Sequence, residues 1–85
     1  MKTDGPRIRK RSVTIAGHPT SVSLEQEFWD ALAEIAEGRG LSVGRLVSEI
    51  DAGRGRGGLS SAIRVHVLAH YRERAGAPVP GGREA

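Results

Sequence analysis

At 85 residues, with 38% hydrophobic side chains and one each of Trp, Tyr and Phe, the chain supports a single domain whose thin apolar inventory suits an intertwined dimer better than an independent monomer. It has no cysteine, which excludes disulfide frameworks, thiolate zinc sites and thiol nucleophiles. No run of about 18 apolar residues occurs and Met1-Lys2-Thr3-Asp4-Gly5 opens no apolar stretch, so neither a membrane span nor a signal peptide is read, and the expected location is cytoplasmic.

The formal net charge is only +3, but its distribution says more than its sum. Lys2, Arg7, Arg9, Lys10 and Arg11 crowd the start, and Arg54, Arg56, Arg64, Arg72, Arg74 and Arg83 follow in the last third. Between them lies an acidic middle with Glu25, Glu27, Asp30, Glu34, Glu37, Glu49 and Asp51. Such segregation gives one part of the molecule a positive field that a polyanion can use.

Residues 1–9 read as a flexible basic arm, 10–74 as the folded domain and 75–85, rich in Pro and Gly, as a disordered tail. From Lys10 to Leu24 apolar and polar residues alternate, with Val13 and Ile15 opposed to Ser12 and Thr14, then Val22 and Leu24 to Ser21 and Ser23. Period two with β-branched residues predicts strands, and Ala16-Gly17-His18-Pro19 between them is turn chemistry, so a hairpin within the chain is an option.

From Ser23 the period becomes helical, with Phe28, Leu32, Ile35 and Ala36 on one face and Trp29 beside them. Ser23 and Gln26 have capping-box spacing, and Gly38-Arg39-Gly40 before Leu41 predicts the helix end. Ser42 is placed to cap a second helix carrying Val43, Leu46, Val47 and Ile50 to about Ala52. After Gly53-Arg-Gly-Arg-Gly-Gly58, Ser60 or Ser61 is placed to cap a third, with Ile63, Val67 and Tyr71 in one stripe that Val65 and Leu68 widen.

The run Thr20-Ser-Val-Ser-Leu-Glu-Gln-Glu-Phe-Trp-Asp-Ala-Leu32, with Glu34-Ile-Ala-Glu-Gly-Arg-Gly-Leu-Ser42 and Leu46-Val47, resembles the ribbon-helix-helix superfamily of the Arc, MetJ and CopG repressors. The stretch from Lys10 to Tyr71, with Arg11-Ser-Val-Thr-Ile-Ala-Gly17 and Leu59-Ser-Ser-Ala-Ile-Arg64, resembles a group of short bacterial proteins of that kind. The resemblance implies a mainly α fold with a short β ribbon plus an additional C-terminal helix. It also implies an intertwined homodimer in which two chains exchange antiparallel strands and lay the ribbon in the major groove of double-stranded DNA. Two points stay open: whether strand 11–15 or strand 20–24 forms the central ribbon, and whether helix 42–52 or helix 60–73 is the family's second helix.

Carried onto this chain, the DNA-binding candidates are Ser21 and Ser23 on the outward strand face, together with Ser12 and Thr14. Ser42 and Arg45 join them at the second helix's N-terminus, whose free N–H groups suit a phosphate, and Arg9, Lys10 and Arg11 supply charge before the strand. The dimer core is expected from Val22, Leu24, Phe28, Trp29, Leu32, Leu46, Val47 and Ile50. Each assignment has a plainer counterpart: charged strand edges deter aggregation, and hydroxyls on a strand face water by default.

Gly53-Arg-Gly-Arg-Gly-Gly58 lacks the Lys-Ser or Lys-Thr of a nucleotide loop and reads as a linker. His66 and His70 stand four apart but have no Cys or catalytic Glu to make a metal site, so no metal or cofactor is expected. No nucleophile, acid and base set is present, and an enzyme is the least favoured class. The expected function is a DNA-binding transcriptional regulator or repressor. The alternative is a dimeric protein-interaction module, antitoxin-like included, on the same fold, in which a protein partner replaces DNA.

Overall fold

The alternating segment forms two antiparallel strands, β1 (Ile8–Ile15) and β2 (His18–Glu25), in a computed structural model that describes residues 7–76. Three helices follow, α1 (Gln26–Arg39), α2 (Val43–Gly53) and α3 (Leu59–Arg74). Strand β1 therefore takes in Ile8 and Arg9, which the sequence reading gave to the arm. The rest of that arm through Pro6, and the tail from Ala77 on, lie outside the described residues.

The turn is tighter than expected. Only Ala16 and Gly17 form it, both with positive φ (52° and 83°), and His18 and Pro19 belong to β2. Two left-handed residues match the right-handed twist of the flanking strands, and Gly17 meets that requirement without strain. The register pairs Ile15 with His18, Thr14 with Pro19 and so on to Ile8 with Glu25. In a two-residue hairpin the pair flanking the turn is hydrogen-bonded and the next is not, which leaves Pro19 at a position whose missing N–H would point away from β1. The same alternation predicts a bond one step beyond the ladder, and Gln26 N donates to Arg7 O at 2.9 Å. Both candidate strands thus belong to one ribbon made within one chain.

Helix α1 starts later than the capping-box spacing suggested. Its N-cap is Glu25, with no side-chain cap, while Ser23 is still in β2 opposite Lys10, because strand pairing runs on to Glu25. Its C-terminus follows the expectation: Gly40 adopts φ 71°, Gly40 N donates to Glu37 O, and Leu41 N reaches back to Ala36 O at 2.9 Å. Ser42 caps α2, its hydroxyl accepting from Arg45 N at 3.0 Å. Helix α3 is capped by Gly58 and by neither serine; Ser60 Oγ instead donates to Ser23 O at 3.0 Å and fastens α3 to β2.

The inner face of the hairpin contributes Val13, Ile15, Val22 and Leu24 to a core completed by Trp29, Leu32, Ile35, Ala36, Leu46, Val47, Ile50, Ile63 and Val67. Helix α2 packs on β1, and α1 and α3 pack on β2. Of the residues expected to form a dimer core, Val22, Leu24, Trp29, Leu32, Leu46, Val47 and Ile50 are buried by their own chain, and Phe28 is half-buried against that core. Val65 and Leu68 do not widen the buried stripe of α3 but stand exposed at 64% and 57%. No helix among the described residues is long and apolar enough to cross a membrane.

Candidate nucleic-acid interface

Side chains directly opposite each other in an antiparallel pair share a face, so the register sorts every candidate. Lys10 with Ser23, Ser12 with Ser21, and Thr14 with Pro19 form the outer face, the one turned away from the core residues Val13, Ile15, Val22 and Leu24. Lys10, Ser12, Thr14 and Ser21 are exposed and Ser23 is half-buried. This strip carries one ammonium group and four hydroxyls on a rigid two-stranded ribbon, a shape the major groove admits.

Arg9 and Arg11 go the other way. They alternate with Lys10 and so lie on the core side of the ribbon, where the Arg11 guanidinium stands over the Trp29 ring, 5.1 Å from its centroid. The Trp29 indole N–H donates to Arg9 O at 3.0 Å, which ties the start of β1 to α1. Both arginines remain exposed. The basic triplet is therefore a bracket with charge on both faces of one strand, and the structure does not gather it on a single face.

The N-terminus of α2 is the remaining element. Ser42 and Arg45 are exposed there, and the helix start abuts β1: a Cβ built on Gly44 would lie 3.7 Å from Val13 Cγ1 and 4.0 Å from Thr14 O. Ser48 Oγ donates to Thr14 O at 3.4 Å. Between α2 and the strand runs a groove of about 360 Å³ whose lining includes Arg11, Ser12, Thr14, Val43 and Gly44. The unpaired N–H groups of the first turn and the Arg11 guanidinium thus border one concavity, an arrangement that suits an anionic oxygen.

Three of the acidic groups are neutralised by arginines. Glu25, at the root of β2, is paired with Arg64 at 3.0 Å. Its own backbone hydrogen bond first, and the Arg64 bond second, keep its carboxyl below the usual range. Arg39 and Glu49 pair at 3.0 Å between α1 and α2. In the glycine-rich segment Arg54 binds Asp51 at 2.7 Å and donates to Gly57 O, so that guanidinium closes its own loop. His66 is half-buried on α3, and burial, followed by the charges of His70 and Arg39, holds its pKa below the ordinary value while Glu49 opposes them. Among the described residues no three His, Cys, Asp or Glu side chains come together as metal ligands.

Sequence reasoning missed the roles of Trp29 and Arg64. Trp29 meets Arg9 and Arg11, and Arg64 meets Glu25 and also lies 5.8 Å from the Phe28 ring centroid. These partners are far apart in sequence and carry no local signal.

The sequence matches the ribbon-helix-helix domain family over residues 8–71, a span that includes both strands and almost all of α3. A solved structure, an uncharacterized protein from Bordetella pertussis Tohama I, is similar with a TM-score of 0.71 and 29% identity, covering 95% of this chain and 70% of that one. No curated protein matches the chain.

Proposed function

Because the chain belongs to the ribbon-helix-helix domain family, we propose that it is a DNA-binding protein, a transcriptional regulator acting as a repressor, which works as a homodimer. The family's members are commonly DNA-binding regulators or antitoxins. The observation that carries the reading is the outer ribbon face: Lys10, Ser12, Thr14 and Ser21 are exposed on the same hairpin whose inner face is sealed into the core.

In this reading the ribbon enters the major groove. Short hydroxyls bring the backbone close to base edges, and Ser12, Thr14, Ser21 and Ser23 contact bases or phosphates. Lys10, Arg9 and Arg11 supply the phosphate contacts that position it, and Ser42 and Arg45 add a helix N-terminus to a neighbouring phosphate. The shortness of these readers favours modest base discrimination and keeps the interaction module as the competing reading, since the strong bidentate contacts to purines come from Arg, Lys, Asn or Gln. The protein is expected to act in the cytoplasm as a binding protein and not an enzyme.

Titration of a fluorescently labelled pool of genomic DNA fragments at two salt concentrations tests the proposal. Binding that weakens steeply with salt and enriches particular fragments is expected. A protein that ignores DNA at low salt would instead be the interaction module.

A further inference from the structure

Within the basic triplet the fold gives Arg11 a support of its own. The Arg11 guanidinium lies 5.1 Å from the centroid of the Trp29 ring, and Trp29 is only 3% exposed. The surface beneath the arginine is therefore part of the core and does not move with the side chain that rests on it. Trp29 is also tied to the strand that carries Arg11, since its indole N–H donates to Arg9 O at 3.0 Å, two residues earlier on β1.

Stacking uses the flat face of a guanidinium and leaves the N–H donors in its plane open. Arg64 also stands over a ring, that of Phe28, but its donors are spent on Glu25. Arg39 and Arg54 are likewise bound to carboxylates, whereas no carboxylate pairs with Arg11 among the described residues. Arg11 and Trp29 together line the groove of about 360 Å³ whose wall also includes Ser12, Thr14, Val43 and Gly44. An unneutralised guanidinium is thus held in place where the open ribbon face meets the start of α2.

We propose that Trp29 is a positioning residue for DNA binding: from beneath Arg11 it holds the guanidinium at this groove, ordered in advance for a backbone phosphate. Trp29 itself does not touch DNA. A long side chain that is free before binding has to be ordered during binding, and that cost is removed when the free protein already holds it. Loss of the platform therefore differs from loss of the charge. Removing Arg11 removes a phosphate contact and lowers the salt slope, whereas removing the ring leaves the charge in place, so affinity falls at every salt concentration while the slope stays.

This inference rests on the DNA-binding reading above. A double-mutant cycle of Arg11→Ala and Trp29→Leu in the full chain tests it, with DNA affinity measured over a range of salt concentrations and counted per folded molecule, because Trp29→Leu also removes core. Trp29→Leu is expected to weaken binding about threefold to tenfold with the slope of wild type, and Trp29→Phe, which keeps a ring, to fall between the two. Arg11→Ala is expected to lower the slope by about 0.9, and adding Trp29→Leu to it to cost nothing more. An equal loss from Trp29→Leu with and without Arg11 would make Trp29 a core residue alone and overturn the inference, leaving DNA binding standing. A wild type that ignores DNA at low salt would overturn both. Wild type also carries a test that needs no folded Trp29 variant: the NMR signals of the Arg11 side chain are expected to be displaced by the indole ring current in the free protein, and signals at their ordinary positions would overturn the inference.

Discussion

The two faces of one hairpin are built from alternate residues of the same two eight-residue strands, yet one is largely sealed and the other open. The inner face, Val13, Ile15, Val22 and Leu24, is covered by all three helices, and Leu24 has no exposure at all. The outer face, Lys10, Ser12, Thr14 and Ser21, is open. A strand's period of two sets core and solvent-facing positions side by side, so a change at one position should disturb either packing or the open surface and largely spare the other.

The largest effect is expected on the inner face. Leu24→Ala, or Leu32→Ala on the helix beneath, should cost about 2–5 kcal/mol through lost burial and a cavity, read by denaturant unfolding. The salt dependence of DNA binding by the molecules that remain folded should be unchanged.

On the outer side the effect should appear in binding and not in melting. Lys10→Ala should lower the slope of log affinity against log salt by about 0.9 for the phosphate contact removed, and its stability should stay within about 0.5 kcal/mol of wild type. A Lys10→Ala protein with a lowered melting temperature and an unaltered salt slope would erase the distinction between the faces.

The turn that joins the strands gives a smaller, opposite change. Ala16 has φ 52°, in the left-handed region that disfavours Ala. Ala16→Asn, a residue that tolerates this conformation, should stabilise the fold by about 0.5–1 kcal/mol without touching DNA affinity.

The smallest effect lies away from the ribbon. The native pKa of His66 is lowered mainly by burial, so the unfolded chain binds the proton more readily than the folded one. Its neutral form is accommodated at higher pH, and stability should decline as pH falls below the ordinary histidine value of about 6.5 toward the lowered native one. His66→Gln should flatten that limb of a stability–pH profile, and an unchanged profile would remove His66 from the account.

How far the sequence reveals all this depends on whether the determining interaction is local. The α1 terminus at Gly40, the Ser42 cap and the inward set of β residues were legible because each depends on neighbours within a few positions. Ser23 misled because capping spacing and strand alternation fit the same residues, and only the pairing of Lys10 with Ser23 decides between them. Ser60 likewise reads as a cap, but its partner is a carbonyl on β2. Helical periodicity puts Val65 and Leu68 near the buried stripe, but α1 and β2 cover only the narrower face holding Ile63 and Val67. The basic triplet could have been divided by alternation alone, whereas the Arg11–Trp29 contact that fixes one side of it is a product of tertiary packing.

The central claim, that the outer ribbon face is the DNA surface, is tested most directly by following the backbone amide NMR signals of the labelled protein during titration with a bound DNA fragment. The account predicts shifts concentrated at Lys10, Ser12, Thr14, Ser21 and Ser23, with a second group at Val43, Gly44 and Arg45. Shifts confined to α3, with the ribbon unmoved, would contradict it.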